Sequence, residues 1–140
     1  MRRILRDKPF PRILNAVDVC NYCSTSFLLP MGLYDAGKIV GKVTLRRGRK
    51  GESYAGIRKD DVHLEGRPVL SDAARPFGNP TSDSAHTAVT TQTVSLWMTI
   101  FAPRSFSREI LDEHVRSAGD LIRRHLAGTE PVCVSGCIVD

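Results

Sequence analysis

Residues 72–93 contain one large aliphatic side chain, Val89, and one aromatic, Phe77; Ser, Thr, Asp, Pro and Gly dominate the rest. Neither a strand alternation nor a helical stripe can be drawn through such a stretch. About 20 polar residues inside a compact domain are uncommon, and they mark either a functional loop or a disordered one. The core therefore has to come from the apolar segments on either side. A chain of 140 residues has the length of one domain. It can bury roughly two-thirds of its unfolded surface, enough for a core without staples.

The apolar segments are short in the middle of the chain and helical towards its ends. Ile13–Leu29 reads as a helix that stops before Pro30. Ile39, Val43 and Leu45 favour a strand with Gly41 as a bulge. The basic run Arg46–Lys50 reads as a hairpin tip around Gly48, leading to a second strand at Ser53–Ile57. Val62–Leu64 and Pro68–Leu70 are further short strands, and Val94–Ala102 (VSLWMTIFA) reads as a strand buried on both faces. The clearest helix comes last. Ser105 or Ser107 caps it, and Ile110, Leu111, Val115, Ala118, Leu121, Ile122 and Leu126 form its apolar face. Arg123, Arg124 and His125 suit its C-terminal end, and Gly128 stops it. The pattern is that of an α+β domain.

The net charge of +5 is unevenly spread. Residues 1–12 carry Arg2, Arg3, Arg6, Lys8 and Arg12 against Asp7 alone, and residues 42–50 carry Lys42, Arg46, Arg47, Arg49 and Lys50 with no acid. The remaining residues hold ten basic and fourteen acidic side chains, so two basic patches sit on a nearly neutral body. Such patches suit a polyanion. Tyr54 follows the second patch, where it either stacks on a base or packs as a strand residue, the second being favoured. No apolar run reaches the length of a transmembrane helix, and Pro9 and Pro11 interrupt any secretory h-region, so a cytoplasmic protein is expected.

The remaining chemistry is sparse. Cys20 and Cys23 lie within the first predicted helix, where an i, i+3 pair is read as small core side chains. With Cys133 and Cys137 they make four thiols, but the spacing does not favour a zinc site, and no metal or cofactor is expected. His63, His86, His114 and His125 form no metal-binding pair, and His114 and His125 are read as surface or boundary residues. Ser82, Asp83, Ser84 and His86 offer nucleophile and base within one loop, yet a triad draws its members from separate segments, and no G-x-S-x-G elbow is present. The polar loop 72–93, rich in hydroxyls and turns, is the best site candidate.

Several ordered motifs go further. Asn15-Ala-Val-Asp-Val-Cys-Asn-Tyr22 followed by Leu29-Pro-Met-Gly-Leu-Tyr-Asp35 resembles the editing domain of the phenylalanyl-tRNA synthetase β subunit. That domain has a helix with an Asp-x-x-Asn-Tyr pattern and then a Gln-Pro-Met-His-Ala-Phe-Asp-like turn. Asp18, Asn21, Tyr22, Pro30, Met31 and Asp35 match it. Gly51-Glu-Ser and Val69-Leu-Ser-Asp72 fit its later elements. Pro76-Phe-Gly-Asn-Pro-Thr-Ser-Asp-Ser84 and Thr87-Ala-Val-Thr90 are similar to its free-standing relatives. The resemblance covers about residues 13–126.

The resemblance implies an α+β fold, with mixed sheets packed as an unusual β-sandwich and flanking helices. With residues 1–12 read as an extended basic arm and 129–140 as a C-terminal tail, the editing-type domain is expected at 13–128. The resemblance implies binding of the acceptor end of tRNA and hydrolysis of a mischarged aminoacyl ester in trans by a positioned water, with no protein nucleophile. That chemistry asks for positioning and oxyanion stabilisation. On this reading Thr81, Ser82, Asp83, His86 and Thr87 are the catalytic candidates, with Thr81 and Thr87 bonding the aminoacyl group or water and His86 contacting the terminal adenosine or phosphate. Gly32, Gly78 and Asn79 line the substrate pocket, and Arg46, Arg47, Arg49 and Lys50 track the acceptor-stem backbone. Two positions depart from the family. Gly32 stands where it has His and Ala85 where it has Glu, the pair credited with recognising a tyrosine hydroxyl. The alternatives are a non-catalytic RNA-binding module and a small-molecule or protein-interaction domain that keeps only the fold. Whether the chain forms a homo-oligomer or belongs to a larger parent protein is left open.

Overall fold

The computed structural model describes residues 15–58 and 60–126. The expected arm (1–12) and tail (129–140), with Cys133, Cys137 and Gly128, lie outside them. The described residues fall into two compact units, one holding 15–31 and 102–126 and the other Gly32–Phe101. Among the described residues, two α-helices and several antiparallel strand pairs give an α+β fold.

The helical unit consists of α1 (Asn15–Phe27) and α2 (Arg108–His125) packed on each other. Ala16, Val19, Cys20 and Cys23 form the buried stripe of α1, at the spacing that puts them on one side of a helix. Cys20 and Cys23 are buried and form no disulfide, and burial pushes the Cys23 thiol up, so they serve as small core side chains. Small residues recur on α2, where Ala118 and Gly119 are buried. α1 ends at Leu28, which takes the left-handed conformation (φ 56°), and Pro30 follows. The Ser24 hydroxyl donates to the Leu29 carbonyl at 2.7 Å and ties the turn to the helix. Ser107 caps α2, its Oγ accepting the Ile110 amide, while Glu109 and Arg123, Arg124 and His125 complement the two ends of the dipole. His114 stacks on Phe27 with ring centroids 4.2 Å apart, a boundary position as expected. Ile110, assigned from its spacing to the apolar face, is instead exposed, since it sits in the first turn of the helix.

The described residues of the second unit form seven strands. β1 (Met31–Asp35) pairs with β7 (Leu96–Ile100); β2 (Thr44–Arg47), β5 (Pro68–Ser71) and β6 (Pro76–Gly78) form a second sheet; β3 (Ser53–Ala55) and β4 (Asp61–His63) form a third. β2 and β5 are antiparallel in the register Leu45↔Leu70 and Arg46↔Val69. Successive residues of a strand face opposite sides, and β5 uses both. Leu70 joins Tyr34, Phe77 and Phe101 in one core cluster, edged by Ile39, Val43 and Leu45. Val69 joins Tyr54 and Leu64 in the other.

Three expectations are corrected here. The run Arg46–Lys50 is not a hairpin tip: Arg46 and Arg47 belong to β2 and pair with Val69 and Pro68. Gly48 explains why. Its amide donates to the Arg67 carbonyl at 2.8 Å, its carbonyl accepts from Gly66, and a Cβ there would strike the Leu64 carbonyl. The chain therefore stays alongside residues 64–67 before it turns. Residues 39–43 are not a strand, because the Val40 amide is held by the Asp72 carboxylate at 2.8 Å and its carbonyl by Ala73, outside any sheet. β7 is not buried on both faces: none of its residues is fully buried, Trp97 is 39% exposed, and Val94 before it is fully exposed. Among the described residues its one sheet partner is β1.

Candidate functional site

The polar loop is folded rather than disordered. Its first anchor is Asp72, whose carboxylate accepts the amides of Val40, Ala74 and Arg75 at 2.7–2.8 Å. Burial acts to raise the Asp72 pKa, but these three amides and the Arg75 charge outweigh it, and the carboxyl is held below its ordinary range. β6 follows. Its last residue, Gly78, leads into Asn79, which is 3% exposed. The Asn79 Oδ1 collects three donors, the Thr81 amide and hydroxyl at 2.8 Å and the Ser82 amide at 2.9 Å. This is an Asx-type turn, which short polar side chains favour. The Asn79 Nδ2 is buried and has no acceptor among the described residues.

The loop then turns back on β6. The Ser84 amide donates to the Phe77 carbonyl at 2.9 Å, and Ser84 bridges Gly56. The Ser84 hydroxyl caps a short 3-10 turn, Ala85–Thr87, by accepting the His86 amide at 3.1 Å. The Tyr54 hydroxyl donates to the Ser82 carbonyl at 2.5 Å, and the Ile57 amide donates to the Asp83 carbonyl. Burial, with a smaller contribution from the Asp83 carboxylate, pushes the Tyr54 phenol up, so it remains a donor. Tyr54 is thus a core residue that props the loop, the favoured of its two sequence readings, and it presents no stacking face. At the far end, Lys38 donates to the Ala88 carbonyl at 2.9 Å, and Asp35 accepts the Thr93 hydroxyl at 2.8 Å.

The structure brings Asn79, Thr81 and Ser82 together and separates the other candidates from them by role. Thr87 is fully buried with its hydroxyl 3.5 Å from the Phe77 carbonyl, a packing position. His86 is exposed, and Asp83 is half-buried between the Tyr54 and Ile57 anchors. Gly32 and Gly78 do converge, on Tyr34: a Cβ at either glycine would land on the Tyr34 hydroxyl oxygen. The Tyr34 ring is fully buried and meets Phe77 edge to face, centroids 4.9 Å apart at 83°.

The basic run divides too. Arg46 is held by Glu52 through two bonds of 2.7 and 2.8 Å, and it also donates to the Ser71 hydroxyl. Glu52 accepts the Arg49 amide as well. The Arg46 bonds, with help from the Arg49 amide, hold the Glu52 carboxyl below its usual range despite burial. The side chains of Arg47, Arg49 and Lys50 are exposed, and Arg47 donates to the Gly66 carbonyl. Arg47, Arg49 and Lys50 are thus the exposed cations of the run, and Arg46 is engaged by Glu52.

Sequence reasoning passed over Tyr34, Lys38 and the anchoring role of Tyr54. A short-range signal exists for Tyr34, which stands two residues from Gly32 on the same face of its strand. The contacts of Tyr54 with Ser82 and of Lys38 with Ala88 span 28 and 50 residues and leave no local pattern.

Comparison with known proteins shows the family of the chain. The B3/4 domain family matches residues 1–126, and the chain belongs to that family. It is similar to the phenylalanine–tRNA ligase beta subunit of Chromobacterium violaceum, 30% identical over 111 residues that cover 76% of this chain and 14% of that protein. It is also similar to the phenylalanine–tRNA ligase beta subunit of Wolbachia sp. subsp. Brugia malayi, 46% identical over 57 residues, 40% of this chain and 7% of the relative. The chain thus corresponds to a small part of these proteins, and it is a synthetase-related domain. Among the described residues no helix is long and apolar enough to cross a membrane.

Proposed function

We propose that this chain is a tRNA-binding, editing-type domain that hydrolyses the ester of mischarged aminoacyl-tRNA in trans. Family membership and the likeness to two ligase beta subunits support this substrate class. The observation that carries the reaction is Asn79: a buried amide with its oxygen satisfied three times and its Nδ2 unused. A buried donor left without an acceptor costs about 1–3 kcal/mol, which an incoming acceptor recovers.

In this reading Nδ2 donates to the ester carbonyl oxygen. Water adds to the carbonyl carbon, the oxygen gains charge, and the donor binds it more strongly than it bound the carbonyl. Collapse breaks the bond to the terminal ribose oxygen, which takes a proton and leaves, while the amino acid departs as a carboxylate. Thr81 and Ser82 fix the amide; Arg47, Arg49 and Lys50 hold the acceptor-stem phosphates. The test is a deacylation assay on a panel of aminoacyl-tRNAs. Acceleration over the spontaneous rate for at least one mischarged species supports the reading. Salt-sensitive tRNA binding with no acceleration of any substrate would instead establish the non-catalytic RNA-binding module.

A further inference from the structure

Gly32 comes from β1 and Gly78 from β6, strands of two different sheets, yet both close on one atom, the Tyr34 hydroxyl oxygen. The ring carbon that bears it is equally tight: a Cβ would lie 2.5 Å from Cζ at Gly32 and 2.6 Å at Gly78. Real Cβ atoms do not approach so closely, so glycine at both positions goes with the phenol end of this side chain. A Phe at this position would keep the Cζ contacts, so the ring alone already calls for glycine at both positions, and the hydroxyl fills the space left between them. The pair of glycines therefore walls a slot that takes the far end of an aromatic ring with its hydroxyl, and the chain fills it with its own phenol.

The slot also lies beside the proposed reaction centre. Gly78 is followed directly by Asn79, about 3.8 Å away from Cα to Cα. An acyl group whose carbonyl sits on Asn79 Nδ2 has its own side chain within reach of the Gly78 wall. We propose that Tyr34 sets the acyl-group specificity of this site: its phenol occupies the slot between Gly32 and Gly78, bars aromatic side chains from it, and restricts the substrate to small aliphatic or polar acyl groups. The proposal rests on the ester-hydrolase reading above.

Tyr34→Ala tests it, because phenol added in solution restores the side chain the substitution removes. Phenol is expected to raise the Tm of Tyr34→Ala and to leave the wild type unshifted. In deacylation assays, wild type should act on Ala- or Ser-tRNA in preference to Phe- and Tyr-tRNA. Tyr34→Ala should raise the ratio of aromatic to small-side-chain hydrolysis by at least about tenfold. Phenol should then inhibit the variant on the aromatic esters and spare the small ones, a readout a merely structural tyrosine would not give. A uniform loss on all esters, or phenol binding with an unchanged ratio, overturns the specificity role; no Tm shift with phenol overturns the slot. If no form of the protein hydrolyses any ester while phenol still stabilises the variant, the hydrolase reading falls and the slot stands. Should Tyr34→Ala fail to fold, Tyr34→Leu keeps the core apolar, opens the glycine end, and is held to the same ratio.

Discussion

The hydroxyl of Tyr34 occupies the space that a Cβ on Gly32 would claim. The two residues are neighbours on one face of β1, and the absence of a side chain at one is the condition for the size of the other. Gly32→Ala should therefore destabilise the domain by about 1–3 kcal/mol through overpacking. Tyr34→Phe removes the first atom in the way and should recover part of that loss. A double-mutant cycle by urea denaturation is expected to show coupling of the two sites; strict additivity would contradict the contact.

The phenol of Tyr54 supports the loop from below, through its bond to the Ser82 carbonyl. Tyr54→Phe keeps the ring in its cluster with Leu64 and Val69 and removes only that bond. The cost should be about 1–2 kcal/mol, with amide exchange accelerating at residues 81–84 before it does in β5. Exchange that rises equally everywhere would assign Tyr54 to the core alone.

Much of this arrangement was legible in the sequence, and the exceptions have physical causes. Both helices were visible because their apolar and small residues repeat at helical spacing, and Ser107 announced its cap. The polar loop was visible from composition. Its anchors were not, because Asp72 to Val40 and Tyr54 to Ser82 are contacts between distant segments. The basic run misled because charge alone says hairpin tip. What decides its course is Gly48, whose missing Cβ lets the backbone lie against Leu64. Trp97 misled because an unbroken apolar run on a two-stranded sheet looks the same as one in a buried sheet.

Acid stability follows from Glu52 and Asp72. Both carboxyls are held below their ordinary values, Glu52 by Arg46 and Asp72 by three amides that outweigh its burial. A depressed folded pKa contributes stability that is fully present above the unfolded value, about 4, and is lost as pH falls through the folded value beneath it. Unfolding free energy should therefore be insensitive to these groups between about pH 5 and 7 and fall below about 4. Glu52→Gln should be less stable at neutral pH and show a shallower acid limb. An acid limb of unchanged slope would remove Glu52 from this role.

The exposed cations should act in binding and not in chemistry. Replacing Arg47, Arg49 and Lys50 together by Ala should weaken tRNA binding and lower the slope of log affinity against log salt by about 2–3. Hydrolysis of a minimal aminoacyl-adenosine ester should be unaffected. Arg46→Gln should act mainly on stability, since its guanidinium is engaged by Glu52.

The most direct test of the central claim is the single-turnover deacylation rate of Asn79→Ala, measured on the aminoacyl-tRNA that the wild type hydrolyses fastest and alongside its thermal melt. Loss of one oxyanion donor is expected to slow the reaction by about 10²–10³-fold in a protein that still unfolds cooperatively. A folded Asn79→Ala that hydrolyses the ester at the wild-type rate would contradict the account.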